Sequence, residues 1–163
     1  MTPAGAFALA AVILRAPWLQ MPRRAPAELR GVTWWLWWLN AFYCGFWHRL
    51  RVEGSDRLPA TGPALLISNH TCCIDHMLLQ AGTRRALGFL IARELYERPL
   101  FRPFCSLVGC IPVRRDGKDV SATRSALRAL EQGRVVPVFP EGKITPMSGR
   151  VLGEGRPGIA FLA

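Results

Sequence analysis

From Leu50 onward the chain reads as an α/β domain, a mixed central sheet flanked by helices, and residues 1–48 read as a hydrophobic, Trp-rich helical arm that associates with a membrane. Three observations predict this. Beyond Leu50, short apolar runs bounded by turn residues alternate with stretches of helical periodicity, the pattern that builds strands and crossover helices. All six tryptophans of the 163-residue chain fall within the first 47 positions, beside arginines. Half of the residues are hydrophobic, which supplies one compact core at a length usual for a single domain.

In chain order, the first apolar stretch covers residues 4–14 and is followed by Arg15, Arg23, Arg24 and Arg30. No Lys or Arg precedes it, so it lacks the charged start of a secretory leader. Residues 31–47, "GVTWWLWWLNAFYCGFW", would reach about 25 Å as a helix, short of a hydrocarbon core of about 30 Å. Such a helix suits the membrane interface, where indole buries its ring and keeps its N–H wet. A buried aromatic core helix is the alternative. The boundary to the α/β domain (49–163) falls at residues 48–51.

Within that domain, residues 51–53 read as a short strand, 64–68 ("ALLIS") as a buried strand, and a helix runs from near Cys72 to about Gly82. "LGFLIA" at 87–92 reads as a second core strand, "RPLFRPFCSLVG" as a helix begun or broken at Pro99 and Pro103, and "CIPVRR" as a third strand. Asp119 caps a helix through Leu130, with apolar positions Val120, Ala122, Ala126, Leu127 and Leu130, closed by Gly133. "RVVPVFP" is the fourth strand, and Pro137 predicts that it lies at an edge or carries a bulge. The last stretch, "GEGRPGIAFLA", begins another helix.

A net charge of +10 calls for an acidic partner. No nucleic-acid-binding motif is visible, so anionic membrane lipids are the expected partner and nucleic acid is not. Five cysteines, an odd number in apolar surroundings, predict reduced thiols and a position at the cytoplasmic face of a membrane. Metal is not expected, because Cys72 and Cys73 are adjacent, Cys105 and Cys110 have four residues between them, and there are only three histidines.

The chemistry concentrates in "SNHTCCIDHMLL", residues 68–79, where His70 precedes Asp75 by five positions. On one helix such residues sit about 140° apart and cannot meet. They meet if His70 lies in the loop after the strand and Asp75 in the first helical turn, where the helix dipole favours its charge. A carboxylate on one imidazole nitrogen turns the other into a proton acceptor, the logic of a general base. On spacing alone, a capping histidine beside a surface aspartate fits the same residues. Two further strand ends carry ligand-suited groups: Arg114 and Arg115, donors for a phosphate, and "PEGKIT", with Glu141 in a rigid frame, Gly142 for close backbone approach, then Lys143 and Thr145. In open α/β sheets ligands bind at that edge.

These residues resemble the glycerolipid acyltransferases of the lysophosphatidic acid acyltransferase type. "NHTCCID" looks like that family's Asn-His-x4-Asp motif, "GCIPVRR" is similar to its second block, and "FPEG" matches its third. The resemblance implies that His70 deprotonates the acceptor hydroxyl, Asp75 orients it, Arg115 holds the acceptor phosphate, and Glu141 and Gly142 help form the acceptor site. It also implies a lysophospholipid acceptor, acyl-CoA or acyl-carrier-protein as the acyl thioester donor, direct transfer without cofactor or metal, and a two-helix membrane motif suited to residues 4–47. No Gly-x-Ser-x-Gly elbow offers a serine nucleophile. A covalent thioester on Cys72 or Cys73 is the other route that spacing permits.

The chain departs from the pattern twice. An Arg often found two places after Gly142 is Ile144 here, which leaves the acceptor headgroup open. The family's fourth block would follow residue 163, so the domain is expected to be truncated before it, and a membrane-binding remnant without catalysis is the alternative function.

Overall fold

The structure, a computed structural model, describes residues 24–53, 58–114, 119–145 and 155. The apolar stretch at 4–14, Arg115 and the helix expected in the final segment lie outside the described residues. In chain order the elements are α1 (Val32–Phe42), running into a π-helical turn (Tyr43–Trp47), then β1 (Ala64–Ile67), α2 (Asp75–Gly82), β2 (Leu90–Ala92), α3 (Arg93–Tyr96), α4 (Phe101–Leu107), β3 (Ile111–Val113), α5 (Val120–Glu131) and β4 (Val135–Val138). They form two compact units, residues 1–56 with 77–84, and residues 57–76 with 85–163.

In the first unit, α1 starts where Gly31 adopts φ 54° and the Thr33 hydroxyl donates to the Arg30 carbonyl at 2.8 Å. Trp37, Ala41 and Cys44 are buried, a stripe at spacings of four and three that puts one helix face inward. Two polar groups tie that face to α2: the Trp37 indole N–H donates to the Gln80 carbonyl at 3.2 Å, and the Asn40 amide to the Met77 carbonyl at 2.9 Å. Gln80 lies in the last turn of α2, where carbonyls lack helical partners, so the indole answers a need of the helix end. The opposite face stays open, with Trp35 69%, Leu39 66% and Trp47 72% exposed. The segment is thus neither wholly buried nor wholly open. Among the described residues no helix is long and apolar enough to cross a membrane.

The second unit is the α/β domain. β1 pairs with β4 and β2 with β3, and a bridge between Leu87 and Val135 joins the two pairs into the order β1-β4-β2-β3. Every described pair is parallel, so all four strands end at one edge. α5 covers the sheet through small residues: Ala122, Ala126 and Ala129 are buried, and Ile111 and Val136 pack against the last two. Asp119 caps α5 by accepting from the Ala122 N–H at 3.0 Å. Gly133, at φ 75°, closes it: its N–H donates to Leu130 and that of Arg134 to Ala129, the paired bonds that end many helices.

Several expectations need correction. Residues 51–53 form no strand: among the described residues nothing pairs with them, and all three are exposed. α2 starts at Asp75, not near Cys72, since residues 71 and 72 turn their N–H groups onto the Asp75 carboxylate instead of entering the helix. α3 was not anticipated. Pro137 does not mark an edge: β4 has neighbours on both sides. The carbonyls of Arg134 and Val138 face β1, while that of Val135 accepts from Gly88 on the other side. Strand alternation therefore turns Pro137 away from β1. Its missing N–H falls on the side where β4 makes a lone bridge, which explains both the proline and the short pairing.

On the amino-terminal side, the buried Arg85 guanidinium donates to the carbonyls of Pro59, Gly62 and Gly133 at 2.8, 3.1 and 2.8 Å. Arg134 donates to the Gly109 carbonyl at 2.8 Å, in space that side chains at Gly88 or Gly109 would fill.

Candidate active site

β1 delivers His70 to the carboxyl edge of the sheet, and α2 opens on Asp75. His70 Nδ1 lies 2.8 Å from Asp75 Oδ2. The same oxygen accepts the N–H groups of Thr71 at 2.6 Å and Cys72 at 2.9 Å, while Oδ1 accepts the Thr71 hydroxyl at 3.1 Å and the Cys72 thiol at 2.9 Å. Burial alone would raise the Asp75 pKa. The donors from Cys72, His70 and Thr71 outweigh it and bring the value down from 3.8 to about 2. Asp75 is therefore an anion at neutral pH, and an anion on Nδ1 selects the tautomer with the proton there, leaving Nε2 as an acceptor.

β4 supplies the next residues. The Phe139 ring stacks on the His70 imidazole, centroids 4.2 Å apart and planes 14° apart. Buried Glu141 accepts the His70 backbone N–H at 2.9 Å, and the Thr145 N–H donates to the His70 carbonyl at 2.8 Å. The loop carrying the imidazole is thus held from both sides by the segment after β4. Gly142, at φ 63°, makes the turn between those contacts possible. Lys143 is exposed. The Thr145 hydroxyl is buried and has no hydrogen-bond partner among the described residues.

The ends of β2 and β3 bring two arginines side by side. Ala92 pairs with Val113, so Arg93 and Arg114 leave neighbouring strands at one level. The Arg114 N–H donates to Asp119 at 2.8 Å and its residue is exposed. Arg93 reaches Glu97 at 3.6 Å and Asp119 at 4.0 Å, while its Nε is buried with no hydrogen-bond partner among the described residues. With strands about 4.8 Å apart, β2 stands roughly 10 Å from β1 and β3 roughly 14 Å. Of these two arginines, Arg93 therefore leaves the strand nearer to β1. Sequence reasoning passed over it, although it directly follows a recognised strand, the signal used for Arg114.

All five cysteines are free. The Cys72 thiol has its pKa raised by burial and by the Asp75 carboxylate it faces, so it stays protonated and is a poor nucleophile. Among the described residues no three His, Cys, Asp or Glu side chains gather so as to hold a metal ion.

A family model described as Acyltransferase matches residues 49–163. An uncharacterised protein of Mycobacterium leprae is 31% identical over 109 residues, which cover 62% of this chain and 28% of that protein. A 1-acyl-sn-glycerol-3-phosphate acyltransferase of Bacillus subtilis is 23% identical over 97 residues, 59% of this chain and 49% of that enzyme. The crystal structure of the 1-acyl-sn-glycerophosphate (LPA) acyltransferase of Thermotoga maritima superposes with a TM-score of 0.56 at 22% identity, over 88% of this chain and 55% of that one, a likeness of fold. The chain thus spans about half or less of the length of these relatives.

Proposed function

Because this chain belongs to the acyltransferase family, we propose that it moves a fatty acyl group from a thioester, acyl-CoA or acyl-carrier-protein, to the free hydroxyl of lysophosphatidic acid or a related lysolipid. The observation that carries the reading is the 2.8 Å contact between His70 Nδ1 and Asp75 Oδ2, which points the basic nitrogen away from the acid. His70 Nε2 takes the proton of the acceptor hydroxyl as its oxygen attacks the thioester carbonyl. The C–O bond forms, the C–S bond breaks, and the departing thiolate takes the proton back from the imidazolium. Asp75 stabilises that imidazolium and holds the ring.

The remaining groups divide the other tasks. Glu141 and Gly142 shape the loop on which the imidazole sits. The Thr145 hydroxyl offers a donor to the substrate. Arg93 and Arg114, with Lys143 and with Arg115 as the family resemblance implies, hold the acceptor phosphate, since a guanidinium matches phosphate oxygens two at a time. Direct transfer fits a Cys72 thiol that stays protonated. The exposed Trp35, Leu39 and Trp47 suit a membrane interface, at the cytoplasmic face, where a lysolipid acceptor resides.

Steady-state assay of the protein with a palmitoyl thioester and lysophosphatidic acid tests this. His70→Ala should lose about 10³-fold in kcat while binding to phosphatidylglycerol vesicles persists. Equal turnover by that variant ends the assignment. Vesicle binding with no transfer by the native, cooperatively folding protein would replace the enzyme with a membrane-binding remnant of the same fold.

A further inference from the structure

The two oxygens of Asp75 are held differently. Oδ2 meets His70 and two backbone N–H groups, which any residues at positions 71 and 72 would supply. Oδ1 meets side chains, the Thr71 hydroxyl at 3.1 Å and the Cys72 thiol at 2.9 Å. The three partners of Oδ2 fix where that oxygen sits, and the grip on Oδ1 fixes the plane of the carboxylate about it. With one donor fewer on Oδ1 the plane is freer to turn, and the Oδ2 lone pair leaves the line of the Nδ1–H bond more often. The contact is short for sulfur, and the thiol, kept protonated by burial and by Asp75, keeps its hydrogen to donate.

We propose that Cys72 is a positioning residue of the acyl-transfer reaction, its thiol locking the Asp75 carboxylate in the rotamer that aims Oδ2 at His70. This rests on the acyl-transfer reading above. It gives the motif's second intervening position a task that spacing does not reveal, and it makes the hydrogen of the sulfur, not its nucleophilicity, the relevant property. A hydroxyl would serve as well, and a methyl would not.

The experiment compares native protein, Cys72→Ala and Cys72→Ser by steady-state kinetics with a palmitoyl thioester and lysophosphatidic acid, and by carbon-13 titration of the Asp75 carboxyl. Cys72→Ala should lose about tenfold in kcat with both KM values unchanged, and its Asp75 should titrate about one unit higher. Cys72→Ser should restore both. If Cys72→Ala does not fold, Cys72→Val, which keeps the volume and lacks the donor, takes its place. Equal impairment of Cys72→Ser and Cys72→Ala, or an Asp75 titration unmoved in Cys72→Ala, overturns the inference. A native protein without acyl transfer, in which Asp75 still moves up in Cys72→Ala and returns in Cys72→Ser, upholds the positioning role and removes the acyl-transfer reading alone.

Discussion

The two halves of the sheet's carboxyl edge are built on opposite terms. At the β1 and β4 ends, Asp75 accepts five hydrogen bonds, the His70 loop is pinned from both sides, and Phe139 covers the imidazole. At the β2 and β3 ends, Arg93 makes long contacts of 3.6 and 4.0 Å with a side chain 36% exposed, and Arg114 is exposed. Partly exposed ion pairs of that kind are each worth at most about 1 kcal/mol. Under the proposed reaction the contrast has a reason: a proton acceptor is best aimed before substrate arrives, whereas cations that would receive a phosphate gain by surrendering weak partners when it binds.

Three measurements test that contrast. The largest effect is expected in the rigid half: Asp75→Asn should cost about 10²- to 10³-fold in kcat, because an amide no longer selects the Nδ1–H tautomer. A smaller loss there than in either arginine variant would invert the contrast. Next comes acid stability. The Asp75 pKa is depressed from 3.8 to about 2, so its contribution is fully present above pH 4 and is lost as pH falls through about 2. By denaturant titration, the native protein should lose about 2 kcal/mol more than Asp75→Asn between pH 6 and pH 2. The smallest effect belongs to the open half. Arg93→Ala and Arg114→Ala should each raise the acceptor KM about tenfold and leave kcat and the donor KM nearly unchanged. A fall in kcat without a change in KM would move these cations into the transition state.

What could be read from the residues follows from how local each cause is. His70 and Asp75 were legible because a spacing of five forbids a shared helix face, and the loop between them could be inferred from where an apolar run ended. The α5 helix was legible through Asp119 and Gly133, each of which acts within a turn of its own position. Glu141 could be singled out, but its hold on the His70 N–H spans 71 positions and leaves no local trace. Pro137 misled because proline forbids a donor, and the chain gives no sign of which side of the strand that donor would face. Arg93 stayed hidden for a simpler reason: β2 is short, α3 follows it at once, and the arginine reads as the start of polar sequence until its strand is paired with β3. Among the apolar positions expected for α5, Val120 is 65% exposed, because Ala122, Ala126, Ala129 and Leu130 take the inward face.

On the side of the sheet away from these groups, one guanidinium fastens Pro59, Gly62 and Gly133, three carbonyls drawn from chain segments some seventy positions apart. Segments that share a fastener cannot fray separately: releasing the turn ahead of β1 strips Arg85 of partners that also steady the turn ahead of β4. The two would breathe as one, a single opening event that exposes both strand starts together.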